Sequence, residues 1–193
     1  MRARRGAHAS PRAPTISGRR RRTQAAAAAA VDREGGARMA KSLGWVRFDH
    51  YSIAAPDAEQ AIAFHEKLFG LERDHVFRSP SEGFRGALLN MPDGQGQVEI
   101  LAPYGDDSFV QDFLEKRGPG LHHITIEVED IDAAVEYLRD ELGIEPYRGI
   151  WSDGQWRQTF IHPRDSGGIL YQLFEWLPGH GPDNPLTDFG AAE

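Results

Sequence analysis

The chain has 193 residues, no cysteine and a formal charge of -7, and 40% of its side chains are hydrophobic. This length allows one domain or two small modules with a full core, and the lack of cysteine excludes disulfides, thiolate metal sites and cysteine nucleophiles. No apolar run approaches the roughly 20 residues that a membrane-spanning helix needs, so we expect a cytoplasmic protein without a membrane partner.

The first part of the chain differs from the rest in charge. Residues 1–39 hold ten Arg against Asp32 and Glu34, a net charge of +8, which leaves -15 for residues 40–193. Because a nucleic-acid binder needs a basic face, the acidic body should bind nucleic acid poorly, and we expect no nucleic-acid partner. Residues 1–39 contain few large apolar side chains, which predicts a disordered basic tail. There are three alternatives for this segment: an arm that binds nucleic acid, an organellar transit peptide, or a true start of translation at Met39. The start at Met39 is favoured.

The first predicted module covers residues 40–105. An alternating strand from Trp45 to Ala55 leads to a helix that Asp57 caps at its beginning and Gly70 ends. Turns rich in Gly, Pro and Ser then separate three further strands. These strands are predicted near residues 71–78, 84–91 and 96–103.

A linker and a second module of the same pattern follow. Residues 106–119 are predicted as a linker helix with a Gly-Pro-Gly turn, and residues 120–178 as the second module. This module begins with a strand and a helix that Asp130 caps and Gly143 ends. Its three further strands are predicted near residues 144–150, 155–161 and 168–176. Residues 179–193 are predicted as a flexible tail.

The two modules repeat one another at an offset of 73 residues. The offset carries His50 to His123 and Glu99 to Gln172, so each module offers a strand histidine and, 49 residues later, an oxygen-bearing side chain. Equivalent positions of two paired modules converge where the modules meet. Imidazole with carboxylate or amide oxygen suits Co, Zn, Mn, Ni or Fe, so the offset predicts a site for one divalent metal ion. The expected fold class is α+β, with two paired βαβββ modules forming a cupped mixed sheet around this metal site.

Strand alternation decides between the adjacent histidines of the second module. Side chains alternate faces with a period of two, so only one of His122 and His123 can point into the site, and the offset selects His123. The other histidines gain no such support, and His65 and His75 are placed on or beside an exposed helix. We therefore predict that His122 points away and does not contribute to metal binding.

Several segments carry a family resemblance. They are Phe48-Asp-His-Tyr-Ser-Ile-Ala54, Val98-Glu-Ile-Leu-Ala-Pro103, Gly120-Leu-His-His-Ile124 with Glu127-Val-Glu-Asp-Ile131, and His162-Pro-Arg-Asp-Ser-Gly-Gly168. The chain from about Val46 to Leu177 resembles the vicinal oxygen chelate (glyoxalase/bleomycin resistance/dioxygenase) superfamily, and within it the methylmalonyl-CoA epimerase family. The resemblance implies paired βαβββ units and metal ligands at the positions of His50, Glu99, His123 and Gln172.

Two positions depart from the epimerase pattern. The family's final-strand ligand is a Glu where this chain has Gln172, and the family's glutamate base on the third strand falls at Gly86. Glu99 keeps the ligand role, and Glu82 in the preceding turn is the candidate for the missing base, so Glu99 and Glu82 are the catalytic candidates. Because each positioned acid or base contributes roughly 10²–10⁴-fold to such a reaction, we expect epimerase activity to be weak or absent.

Three functions stay open from the sequence. The first is a metal-dependent isomerase or lyase, epimerase-like or glyoxalase-like, that stabilises the enolate of an acyl-thioester or a small oxo or hydroxy acid. The second is an Fe(II) ring-cleaving dioxygenase, which normally uses two histidines and one carboxylate. The third is a non-catalytic protein that binds a small molecule or confers resistance to it. In the first two the partner is a small-molecule substrate, and a homodimer is left open.

Overall fold

In the residues that the structure describes, eight strands form one mixed sheet and three α-helices pack against it. The computed structural model describes residues 42–92, 94–152 and 154–181. The first module contains β1 (Trp45–Ala54), α1 (Ala58–Phe69), β2 (Glu72–Ser79), β3 (Phe84–Asn90) and β4 (Gln97–Pro103). After α2 (Phe109–Arg117), the second contains β5 (Gly120–Val128), α3 (Ile131–Leu142), β6 (Tyr147–Ser152), β7 (Trp156–Ile161) and β8 (Tyr171–Trp176).

This element order confirms the predicted α+β class with two βαβββ units. Within the described ranges, no helix is long and apolar enough to cross a membrane. The basic tail predicted over residues 1–39 lies outside the described residues, as does the part of the second predicted tail from 182 to 193.

The two helices of the modules begin and end where the sequence predicts. The carboxylates of Asp57 and Asp130 accept hydrogen bonds from backbone N–H groups in the first helical turn, which satisfies donors that the helix itself leaves free. Gly70 and Gly143 follow the last helical residues with φ of 66° and 65°. This left-handed conformation carries no steric penalty for glycine, which has no Cβ.

The strand order β2-β3-β4-β1-β5-β8-β7-β6 places the two modules side by side. The modules meet where β1 and β5 run antiparallel, and each of these strands has a parallel neighbour from its own module. The order is therefore symmetric about the β1–β5 seam, as a pseudo-twofold axis requires. Across the seam His50 lies opposite Thr125, and Ser52 lies opposite His123.

One face of the sheet holds the two main apolar clusters. In the first, α1 buries Ala58 and Ile62 against β3 and β4; in the second, α3 buries Ile131 and Leu138 against β5 and β8. Fully burying a side chain such as Ile or Leu contributes about 1.5–3 kcal/mol. These two helices thus anchor both modules from the same side and leave the other face for the site.

The opposite face, which we call the cup face, carries Ala54 and Leu101 and is partly covered by α2. The buried cluster beneath this helix comprises Ala54, Phe77, Leu101 and Val110. The linker helix begins at Phe109, later than the predicted start at Asp106, because the Ser108 hydroxyl accepts from a backbone N–H of the first turn and caps the helix there.

Candidate metal centre

Three polar side chains converge on the cup face at the seam between the modules. Glu99 Oε2 lies 3.8 Å from His50 Nε2 and 3.6 Å from His123 Nε2. The candidate ligand atoms of the three residues all lie within 4.8 Å of one another. Their side chains are 12%, 14% and 8% exposed for His50, Glu99 and His123. The structure therefore brings together His50, Glu99 and His123, which the sequence proposes as metal ligands.

Polar atoms within this cluster lack partners. Among the described residues, Glu99 Oε2, His123 Nε2 and Ser52 Oγ are buried without a hydrogen-bond partner. Leaving a buried polar atom unsatisfied costs about 1–3 kcal/mol, and a bound ion can satisfy such atoms in a native protein. Two imidazoles and one carboxylate form a donor set that suits several divalent transition metals. The residues present therefore fit a divalent cation.

Gln172, the fourth proposed ligand, lies beside the cluster, where its side chain interacts with both Thr125 and His123. The two residues pair in register between β8 and β5. The Thr125 hydroxyl donates to Gln172 Oε1 at 3.0 Å and lies 2.9 Å from His50 Nε2. The Gln172 amide nitrogen in turn donates to the Gln158 side chain. Its amide oxygen is thus held by a hydroxyl group that also touches one of the converging histidines.

Sequence reasoning missed two hydroxyl residues at the seam, although the 73-residue offset contains them. Ser52 and Thr125 are separated by this offset, and both are buried. Each lies opposite the histidine of the other module. A search of the repeat for equivalent hydroxyl pairs, in addition to histidines, would have found them.

Two β-bulges set the orientation of the histidine rings. The β1–β5 register slips at Asp49 in β1 and at His122 in β5, positions that the 73-residue offset also relates. A bulge turns the extra side chain away from strict alternation. His50 Nδ1 lies 2.8 Å from Asp49 Oδ2, and His123 Nδ1 lies 2.8 Å from His122 Nδ1. With both Nδ1 atoms engaged, both Nε2 atoms face Glu99, as outer partners arrange for metal-binding histidines. His123 Nε2 has no hydrogen-bond partner, whereas His50 Nε2 also lies within hydrogen-bond distance of the Thr125 hydroxyl.

The prediction that His122 points away from the site is wrong. Alternation assumes an unbroken ladder, whereas the bulge adds a residue and brings His122 beside His123. The ring also packs against Phe113, with centroids 4.8 Å apart. Burial, with the nearby charge of Arg117, lowers the pKa of His122 to about 4. The neutral ring can therefore accept a hydrogen bond from His123 Nδ1–H.

The two converging histidines have opposite electrostatic environments. For His50, burial lowers the pKa, but the hydrogen bond to Asp49 and the charges of Glu99 and Asp49 outweigh burial and raise the pKa above 6.5. For His123, burial and the charges of His50 and His122 place the pKa well below 6.5. One module thus supplies a histidine with a carboxylate partner, and the other a histidine with a neutral partner.

Replacing His122 with alanine is expected to weaken binding of a divalent cation by roughly 10–100-fold, the usual effect of losing an outer partner of a ligand histidine. The variant His122→Asp is the matched control, because an aspartate occupies the equivalent bulge of the first module and holds His50. Titration calorimetry with Zn²⁺ should give an affinity for His122→Asp close to that of the unaltered protein. If His122→Ala bound Zn²⁺ with unchanged affinity, His122 would not be needed to position the His123 ring.

Glu82, the candidate base from the sequence, is not brought to the cluster. It is exposed in the turn after β2, where it accepts a hydrogen bond of 3.0 Å from the Ser79 hydroxyl. The strand that follows begins at Phe84, opposite Pro103, which is four residues along β4 from Glu99. At about 3.3 Å per residue this separation is roughly 13 Å along the strand. The structure does not place Glu82 near the converging residues.

Gly86, where the resemblance places the family's glutamate base, leaves no room for a side chain. A Cβ atom at this position would overlap the carbonyl oxygen of Ile100 and lie 3.1 Å from Phe77 Cζ. We expect Gly86→Ala to lower the free energy of unfolding by about 1–3 kcal/mol through overpacking, as measured by urea unfolding. Gly181→Ala is the control, because a Cβ there meets nothing within 4 Å. Equal stability of the two variants would show that β3 and β4 move apart at little cost.

Comparison with known families matches residues 49–158 to the glyoxalase/bleomycin resistance protein/dioxygenase superfamily. The chain belongs to this superfamily. The mitochondrial methylmalonyl-CoA epimerase of Homo sapiens is 35% identical over 130 residues, which cover 66% of this chain and 72% of that protein. The crystal structure of methylmalonyl-CoA epimerase from Mycobacterium tuberculosis matches with a TM-score of 0.63 at 34% identity, covering 73% of this chain and 94% of the other.

A third relative in this superfamily has been solved with a ligand. It is a variant of the Streptomyces coelicolor methylmalonyl-CoA epimerase in complex with 2-nitronate-propionyl-CoA, with a TM-score of 0.60 at 31% identity over 72% of this chain and 99% of the other. These relatives are enzymes of the isomerase class. The comparisons confirm the family resemblance and the fold class. The family match contains His50, Glu99 and His123 and ends before Gln172, and the ligand roles stay predictions.

Proposed function

We propose that this chain is a metal-dependent isomerase that removes and returns the α-proton of an acyl-CoA thioester, with methylmalonyl-CoA as its substrate. The observation that carries the proposal is the cluster of His50, Glu99 and His123 at the seam between the modules. It occurs in a chain similar to methylmalonyl-CoA epimerases. Epimerisation requires the α-hydrogen to leave and return, and the anion formed in between must be stabilised.

The cluster is suited to stabilising that anion. A divalent ion held by His50, Glu99 and His123 would supply a Lewis acid for the carbonyl oxygen of the thioester. Asp49 and His122 fix the two rings through their Nδ1 atoms, so little reorganisation is needed when the site fills. The planar nitronate group in the ligand of the Streptomyces coelicolor relative resembles an enolate, which supports the same chemistry here.

Apolar side chains beside the cluster suit the methyl group on the α-carbon of the proposed substrate. Leu88 lies opposite Glu99, and Leu101 lies two residues along β4 on the same face. Phe77 completes this wall beneath α2. Such a surface favours a methyl branch, since burial of each CH₂ contributes about 0.8 kcal/mol. It also excludes water from the developing anion.

The proposal is tested by exchange of the α-proton in deuterated water. Methylmalonyl-CoA is incubated with protein loaded with Co²⁺ or Mn²⁺, and deuterium at the α-carbon is followed by mass spectrometry. We expect exchange above the buffer rate with loaded protein and its loss after treatment with EDTA. Absence of protein-dependent exchange with each of Co²⁺, Zn²⁺, Mn²⁺, Ni²⁺ and Fe²⁺ rejects the proposal.

An Fe(II) ring-cleaving dioxygenase is the second candidate, because the same cluster is a set of two histidines and one carboxylate. Dioxygen uptake by the Fe²⁺-loaded protein with a dihydroxylated aromatic substrate separates the two functions. We expect none. Uptake that disappears in Glu99→Gln would favour the dioxygenase, and binding of methylmalonyl-CoA without uptake or exchange would favour the non-catalytic binding protein.

Other expectations from the sequence stay predictions. They concern the limits of the modules, a homodimer and the cytoplasmic location. The human relative is described as mitochondrial, so the compartment of this chain has to be determined by localisation of the tagged full-length protein.

A further inference from the structure

Another histidine on the cup face has a buried ring nitrogen without a partner. His75 lies in β2, and its Nε2 is buried and unsatisfied among the described residues. Its ring lies 6.3 Å from that of Phe77, which stands two residues further along the same strand and belongs to the cluster beneath α2. Residues two apart share a face of the sheet. His75 thus lies in the strand that the sequence predicts near residues 71–78, on the face of the sheet opposite to α1.

His75 stands in the same row of the sheet as the ligand cluster. It pairs with Leu88 of β3, and Leu88 pairs with Glu99 of β4. Adjacent strands are separated by about 4.8 Å, so the backbones of His75 and Glu99 are about 10 Å apart across the cup face. Leu88 alone lies between them in this row. A small acyl group held at the cluster would therefore lie near Leu88, with His75 on its far side.

The chemistry of this position is that of a general base. Imidazole is the side chain that most often serves as a general base. In the tautomer with the proton on Nδ1, His75 Nε2 offers a lone pair that no hydrogen bond occupies. The positions named from the sequence do not supply this group. Gly86 has no side chain, Glu82 accepts from Ser79 in an exposed turn, and Glu99 belongs to the ligand cluster.

We propose that His75 is the catalytic base that removes the α-proton of the acyl-thioester, an inference that rests on the proposed function. In this step the α-C–H bond breaks, the proton binds to His75 Nε2, and the bonding electrons move toward the thioester carbonyl oxygen. Epimerisation is completed when a proton from solvent reaches the opposite face of the α-carbon, and the imidazolium gives up its own proton to solvent. A base at His75 also changes the expectation of weak epimerase activity. That expectation assumed that no proton acceptor faces the cluster.

The test compares two histidine variants in full-length, metal-loaded protein. In His75→Gln the rate of α-proton exchange should fall by roughly 10²–10⁴-fold, while the affinity for Zn²⁺ stays unchanged. His65→Gln is the matched control, because His65 lies on α1 and its Nδ1–H donates to the Ala61 carbonyl oxygen, away from the cup face. It should exchange at the rate of the unaltered protein.

Chemical rescue separates a proton-transfer role from a packing role. His75→Ala should be inactive and should regain exchange when imidazole is added, whereas His123→Ala should not. Exchange by His75→Gln at the unaltered rate overturns the assignment of His75 and leaves the proposed function standing. Loss of Zn²⁺ affinity in His75→Gln also overturns it, since the ring would then act at the cluster. Absence of exchange in the unaltered protein overturns both proposals.

Discussion

Replacing either His50 or His123 with alanine is expected to abolish tight binding of a divalent cation. Each ring contributes one Nε2 to a cluster whose only other titratable member among the described residues is Glu99. Loss of an outer partner already weakens such sites by roughly 10–100-fold, and loss of a direct ligand should exceed that range. Titration calorimetry with Zn²⁺, together with the visible spectrum of the Co²⁺-loaded protein, measures the effect.

The control for these variants is His162→Ala, which removes a histidine that caps the short helix at Pro163–Asp165. It should bind the cation as the unaltered protein does. Glu99→Gln keeps the shape of the third ligand and removes its charge, so it should weaken binding without unfolding the site. Zn²⁺ affinity that survives in both His50→Ala and His123→Ala would show that the cluster is not the metal centre.

The metal-free protein should lose stability as the pH falls from about 6.5 toward 4. The pKa of His122 is lowered to about 4 and that of His123 well below 6.5, in both cases chiefly by burial. The unfolded chain therefore takes up two protons that the folded chain does not, and each costs about 1.4 kcal/mol per pH unit in this window. His50 has a raised pKa and acts in the opposite direction. Its contribution to the free energy of unfolding is complete below pH 6.5 and is lost as the pH rises through the pKa of His50 in the folded protein.

Urea unfolding of EDTA-treated protein at several values between pH 7 and pH 5 measures this slope. Comparison with His122→Asn isolates one histidine, because the carboxylates that also titrate are common to both proteins. The slope of the variant should be smaller by about 1.4 kcal/mol per pH unit. Equal slopes would mean that His122 takes up its proton in the folded protein as readily as in the unfolded chain.

The repeat explains why much of the site could be predicted from the sequence. Pseudo-twofold pairing brings equivalent positions together, so His50 and His123 converge because their modules pair through equivalent strands, β1 and β5. The oxygen ligands behave less uniformly. Glu99 lies between the two histidines, whereas its equivalent Gln172 accepts a hydrogen bond from Thr125 and also interacts with His123. The offset relates positions, but the side chain at each position decides which partner it binds.

The positions of His122 and His75 could not be predicted from the sequence. The period-two rule assigned His122 to the wrong face, because a bulge adds a residue without changing the hydrophobic pattern on either side. His75 was missed for a different reason. It has no histidine at the equivalent position, since the residue 73 further on is Arg148, so a search limited to the repeat gives it no support.

The position of the cluster on the β1–β5 seam links the stability of the whole sheet to metal supply. His50 and Glu99 come from one module and His123 from the other, so a cation bound to all three ties together two halves that otherwise meet through one pair of strands. A ligand that binds only the folded state stabilises it by about 4 kcal/mol when its free concentration is a thousandfold above Kd. The lifetime of the folded chain in a cell would then follow the local concentration of free metal, and starvation for that metal would remove the protein as well as its activity.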